Sequence, residues 1–216
     1  PDGHGTVYHR AGSRGPRFSA VDAPLRVDVG IEGDRAMADR FVAEAVEGSP
    51  GLAVLWLSEP DTTQHAVPLG SPRHRDTLAA VDEIAGGVID AVTARDDDTL
   101  LIVGSDHGHQ TVTEVVDVDA FLAAEGLKAD GAGEVVVAPN GTGALVYLRG
   151  DSADRIGAVV AALEAAPWIG AVYAGERLAE VGHAPSGGLA VAVSMAASDA
   201  PNPFGVPGTS AAAVPA

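Results

Sequence analysis

The sequence predicts an α/β fold: a largely parallel sheet flanked by helices, with a small α+β lobe beside it. Three observations lead there. Residues 52–57 (LAVLWL) and 99–103 (TLLIV) are short apolar runs bounded by turn residues, the pattern of strands buried on both faces. Between them, over about 74–94, Leu78, Val81, Ala85, Val88, Ile89 and Val92 recur at helical spacing. Strand, helix, strand is a crossover unit, and such units are right-handed with parallel strands. Further on, a hairpin signal, a helical stripe and two more apolar runs give the lobe.

Taken in order, residues 1–33 are rich in Gly, Pro and Arg and read as loop. His4 belongs to a terminus there, with a metal ligand as the lesser reading. His9, Arg10, Arg14 and Arg17 form a local basic cluster, either a solvated loop or a phosphate contact. Asp34 is placed to cap a helix whose stripe is Met37, Phe41, Ala45 and Val46, and Gly48 with Pro50 ends it. That helix feeds the strand at 52–57. Pro60 stiffens the chain before Asp61. Glu59 reads as a surface charge or as a partner that orients His65. His74 opens the long helix from its surface side, and Asp82 on the same helix caps or pairs.

Beyond residue 109, Asp117 caps a short helix that buries Phe121 and Leu122 and stops at Gly126. Residues 134–138 and 144–148 flank Asn140-Gly141, a hairpin turn signal. Asp151 or Ser152 opens a helix with Ile156, Val159, Val160 and Leu163 on one face, and 168–174 and 189–195 read as strands. The predicted division is a metal-binding α/β core over 1–129 and 199–216 and a lobe over 130–198. Residues 202–210 (NPFGVPGTS) read as loop, and an Ala-rich tail follows Ser210.

The chemistry gathers where the two predicted strands end. Parallel strands put their carboxyl ends on one edge, where open α/β sheets place ligand sites. Asp61 with His65 would meet Asp106 with His107 there. Gly104 and Gly108 permit the bend that lets Asp106 and His107 point together. Carboxylate oxygen and neutral imidazole nitrogen are ligands for zinc and similar divalent ions. Two pairs imply two ions a few Å apart, as in two-metal phosphoryl-transfer sites. The 216 residues hold no cysteine, so thiolate ligation is excluded. His109 could orient a ligand, face substrate or lie on the surface, and His183 reads as a loop histidine.

A net charge of −17 excludes binding to nucleic-acid polymers, which requires a basic footprint. It leaves small phosphate esters open, because bound divalent ions invert the local field. No apolar run reaches membrane-span length, and the sequence does not decide between cytoplasm and periplasm.

The segments EPDTTQH and GSDHG resemble the metal-ligand motifs of the alkaline phosphatase superfamily, and within it the type I phosphodiesterase/nucleotide pyrophosphatase family. The resemblance runs over about 34–113. It implies an alkaline-phosphatase-like fold in which Asp61 and His65 bind one divalent ion and Asp106 and His107 another. The ions would be zinc, with manganese or magnesium as alternatives, and the substrate a small phosphate ester or nucleotide. By the same resemblance an activated Thr hydroxyl attacks phosphorus. The family's nucleophilic Thr, a further Asp ligand and a third His have no counterpart here; Thr62 and Thr63 sit in the wrong motif, and His183 lacks the His-Gly pattern. The chain is therefore expected to be a fragment that hydrolyses little alone. It also departs from the family at Gln64, where Gly is usual, and at His109, where Met is common. The alternatives are a phosphonate or sulfate ester hydrolase or a phosphomutase of the same superfamily, or a non-catalytic domain that keeps the fold.

Overall fold

The computed structural model describes residues 5–46, 48, 50–95, 98–128, 134–149 and 153–214. They fall into two compact units, Pro1–His109 and Gln110–Ala216. His4, Asp151 and Ser152 lie outside the described residues.

The first unit is built on helices. After a bridge between Val7 and Arg14 and a 3-10 turn at Pro16–Phe18, helix α1 spans Ile31–Phe41 and runs on as a π-helical segment, Val42–Val46. Its N-cap is Gly30, at φ 95°, not Asp34. Asp34 lies one turn inside the helix and is buried. Gly33 beside it is obligatory, because a Cβ there would lie 1.9 Å from the Asp28 carbonyl oxygen. At the far end of the helix the Tyr8 hydroxyl donates to the Glu44 carboxylate; burial, then that hydrogen bond, raise its pKa above the usual phenol value. Helix α2 is Asp61–Ala66 and α3 is Pro72–Thr93, within a residue or two of the predicted long helix. The buried face of α3 is His74, Thr77, Ile84 and Val88, while Leu78 is exposed. Ile84 and Val88 pack with Ala38, Phe41 and Val42 of the first helical stretch.

Residues 52–57 and 99–103 depart from expectation: neither belongs to a strand. Leu52 is 82% exposed, Leu100 83% and Ile102 80%, with Val54, Trp56 and Val103 also exposed. Leu55 and Leu57 do pack against the α1–α3 cluster. The helices thus cover one face of the first segment. A buried parallel strand also needs ladders at its edges and a cover on its second face, and among the described residues it has neither.

The second unit carries two sheets. In the first, strands β2 (Val135–Asn140), β3 (Gly143–Leu148), β4 (Ile169–Ala174) and β5 (Leu189–Met195) lie in the order β2-β3-β5-β4, all antiparallel. The hairpin forms one residue later than its sequence signal: Asn140 pairs with Gly143, and Gly141 turns the chain at φ 60°. Helices α4 (Val118–Ala124, capped by Asp117) and α5 (Ala153–Glu164) bury Val118, Leu122, Val159 and Leu163 in one cluster with Val146, Val191 and Val193. Leu178, in the 3-10 segment Gly175–Val181, packs with Leu189 and Ala192.

The second sheet has the order β1-β7-β6, with β1 at Thr111–Val116, β6 at Ala197–Pro201 and β7 at Pro207–Ala213. The pair β1/β7 is parallel, and no other ladder among the described residues is. The parallel sheet expected from 52–57 and 99–103 is therefore not seen in that form. The predicted Ala-rich tail is the central strand instead: Ala211, Ala212 and Ala213 are buried there. The predicted loop at 202–210 is a turn held by Asn202, whose side-chain oxygen accepts from Phe204 and Val206 amides at 2.9 and 3.1 Å, and then the strand.

Candidate metal centre

Asp61 opens α2, and its position is set from behind by two buried carboxylates. Asp34 is 2% exposed. Its oxygens accept the backbone N–H groups of Ser58 and Glu59 at 2.7 and 2.8 Å. Ser58 returns the contact, its hydroxyl oxygen accepting the Gly30 amide at 2.8 Å. Glu59 is buried in turn and caps α2 by accepting the Thr63 amide at 2.9 Å. That satisfies one of the four amides a helix start leaves without partners. Glu59 is thus neither a surface charge nor a partner of His65. Among the described residues neither carboxylate pairs with a cation. Backbone donors compensate their burial, as hydrogen bonds to an ionised acceptor can.

The inner side of α2 is pinned to α3. The Thr63 hydroxyl lies 3.3 Å from that of Thr77. His74, expected at the surface, is buried. Its Nδ1 accepts the Gly70 amide at 2.9 Å, and its Nε2 lies 3.1 Å from the Gln64 side-chain amide. With Nδ1 accepting, the neutral ring carries its proton on Nε2. The Gln64 atom nearest to it is the side-chain nitrogen, and a flip of the amide, which exchanges nitrogen for oxygen there, gives that proton its acceptor. Burial wins over the polar character of His74 because both ring nitrogens are satisfied.

With its inner side fixed, α2 turns Asp61 and His65 outward. Four residues apart on a helix, they share a face, and His65 Nε2 lies 3.4 Å from Asp61 Oδ1. The segment 104–109 comes to the same place. His107 Nε2 is 3.8 Å and His109 Nε2 2.9 Å from that oxygen. Asp106 Oδ2 is 3.6 Å from His107 Nε2. The Ser105 hydroxyl donates to the His107 carbonyl at 2.6 Å and tightens the bend. The His109 ring meets those of His65 and His107 edge-on, at 5.0 and 5.2 Å between centroids. All four residues expected as ligands are thus together, with Asp106 at the margin. His109 joins them more closely than the sequence indicated. The available signal was its spacing: the bend at Asp106 that precedes His107 leaves His109 two residues on, near the same place.

The donor set fits a divalent ion. Three imidazole nitrogens surround one carboxylate oxygen, and Asp61, His107 and His109 each offer a donor atom within 4.8 Å of the others. Imidazole with carboxylate suits zinc and its first-row neighbours. His109 has 16% of its side chain exposed, whereas the other four are half exposed or more. The centre thus has one sheltered wall and one side open to a ligand from solvent. The threonines next to it are engaged: Thr62 donates to the Ser58 carbonyl at 3.0 Å, and Thr63 is buried. His183 is exposed in the second unit.

A family model described as type I phosphodiesterase / nucleotide pyrophosphatase matches residues 6–183, a span that includes both Asp/His segments. No curated protein and no solved structure matches the chain.

Proposed function

The chain belongs to the type I phosphodiesterase / nucleotide pyrophosphatase family, and on that premise we propose that it carries the metal centre of a phosphodiesterase or nucleotide pyrophosphatase, with Asp61, His65, Asp106 and His107 as ligands of two divalent ions, zinc foremost. The observation that carries this reading is the meeting of Asp61 with three imidazoles from two separate segments. A chance group of surface histidines has no reason to aim three Nε2 atoms at one oxygen.

Bound ions would lower the pKa of an attacking hydroxyl and neutralise phosphoryl oxygens. The chain's own residues supply the rest. Asp61 and His65 hold their donors on one helix face, while Asp106 and His107 hold theirs on a glycine-flanked bend. The open side admits a small ester or nucleotide. In a chain of net charge −17, the anionic substrate would be held only once metal is bound. Neither Thr62 nor Thr63 serves as the nucleophile, since one hydroxyl is spent on a backbone carbonyl and the other is buried.

The test is binding and turnover on matched substrates. Calorimetry should give two equivalents of zinc, and adenosine monophosphate should bind the zinc-loaded chain but not the chelated one. Turnover by the metal-loaded chain alone, which holds no identified nucleophile, should be slow, and what rate there is should be higher on bis-p-nitrophenyl phosphate than on the matching monoester, phosphonate and sulfate esters. A preference for sulfate or phosphonate would move the protein to another branch of the superfamily. One weak equivalent of zinc, unchanged by Asp61→Ala and without nucleotide binding, would make it a non-catalytic domain.

A further inference from the structure

We propose that His109 is a direct ligand of the ion that Asp61 holds, and not merely a hydrogen-bond partner that orients that carboxylate. The proposal rests on the reading that Asp61 binds a divalent ion.

Four features carry it. His109 Nε2 is the imidazole nitrogen closest to Asp61 Oδ1, at 2.9 Å. Second, the distances from Oδ1 to the nitrogens of His109, His65 and His107 are 2.9, 3.4 and 3.8 Å. Donors about 2.0–2.1 Å from a tetrahedral zinc ion sit about 3.3–3.4 Å from one another, so the spread brackets the edge of such a cage. Third, the His109 ring stands edge-on to both other rings and stacks on neither. Rings that converge on a shared centre take that arrangement. Fourth, His109 is the least exposed of the group, which suits a ligand held in place before the ion arrives. An imidazole that only oriented Asp61 would need no nearness to His65 and His107.

The consequence concerns the ligand set. Asp61 and His109, whose donor atoms lie within 4.8 Å of each other and of that of His107, would give the first ion a carboxylate and an imidazole, with His65 or His107 as a further imidazole donor. His107 is left to Asp106 and the second ion, or shared.

The chain has no cysteine, which makes a direct test available. The His109→Cys variant is loaded with cobalt(II), and its ultraviolet spectrum is read for thiolate-to-cobalt charge transfer. A control variant, His183→Cys, places a thiol in the second unit. Expected are a charge-transfer band at His109→Cys and none at His183→Cys. His109→Ala should weaken zinc binding by more than the roughly 10–100-fold that loss of an outer-shell partner costs, with its circular dichroism unchanged. If His109→Cys does not fold, His109→Ala and His109→Gln decide the matter by zinc affinity. Cobalt binding without the band, or a His109→Ala loss of zinc affinity of about 100-fold or less, would overturn the proposal and leave the metal centre standing. Failure of the wild-type chain to bind cobalt or zinc would overturn both.

Discussion

The carboxylate of Asp34 accepts two backbone amides, at Ser58 and Glu59, that lead directly into Asp61. Removing it leaves those donors unpartnered. Asp34→Ala should therefore cost about 2–4 kcal/mol in urea unfolding, and zinc affinity should fall about 10–100-fold as the start of α2 loosens. Asp34→Asn keeps one acceptor oxygen and should fall between. A wild-type midpoint for Asp34→Ala would show that the clamp contributes nothing. Gln64 works in the same way from the other side. Where the resembled family carries Gly, this chain has a side chain that caps the buried His74 ring. The sequence put forward Asp61, His65, Asp106 and His107 as candidates because motif spacing is a local property. It misassigned Asp34 and Glu59 because their partners are backbone amides, which leave no mark on residue type.

Helix α2 has six residues, too few to be stable alone. It persists because Asp34 and Glu59 hold its start and Thr77 and His74 hold the side that faces α3. The apolar segments 52–57 and 99–103 illustrate the converse. Their composition is that of central strands, yet their exposed side chains meet no partner strand or covering layer among the described residues. Sequence pattern reads intrinsic preference, whereas a ladder requires a neighbour. The amides of 52–57 and 99–103 should exchange hydrogen within seconds to minutes, and those of β5 should be the slowest in the chain. Ile102→Thr should change stability by no more than about 0.5 kcal/mol, as for an exposed position, while Leu163→Ala should cost about 2–5 kcal/mol. Strong protection at 99–103, or a large loss at Ile102→Thr, would mean that these segments are covered in solution. The Ala-rich β7 shows the reverse error. Alanine has weak strand preference, and only its place between β1 and β6 makes 211–213 a strand.

Across the whole molecule, the helical and hairpin periodicities carried furthest: α3, α4, α5, the hairpin and strands β4 and β5 stand within a few residues of where the sequence put them. Sheet connectivity was less legible, since pairing β1 with β7 joins residues about a hundred positions apart and no local pattern encodes that. On the proposed reading, the charge of −17 would make substrate binding depend on metal: an anionic ester approaches an acidic chain favourably only when bound ions reverse the local potential. All of this turns on whether the histidines around Asp61 bind metal. X-ray absorption at the zinc edge of the loaded chain measures that directly. The account predicts a shell of nitrogen and oxygen at about 2.0–2.1 Å, with the outer scattering of at least two imidazoles, lost in a His65→Ala/His107→Ala/His109→Ala triple variant. A shell of oxygen alone, or a wild-type spectrum identical to that variant, would contradict it.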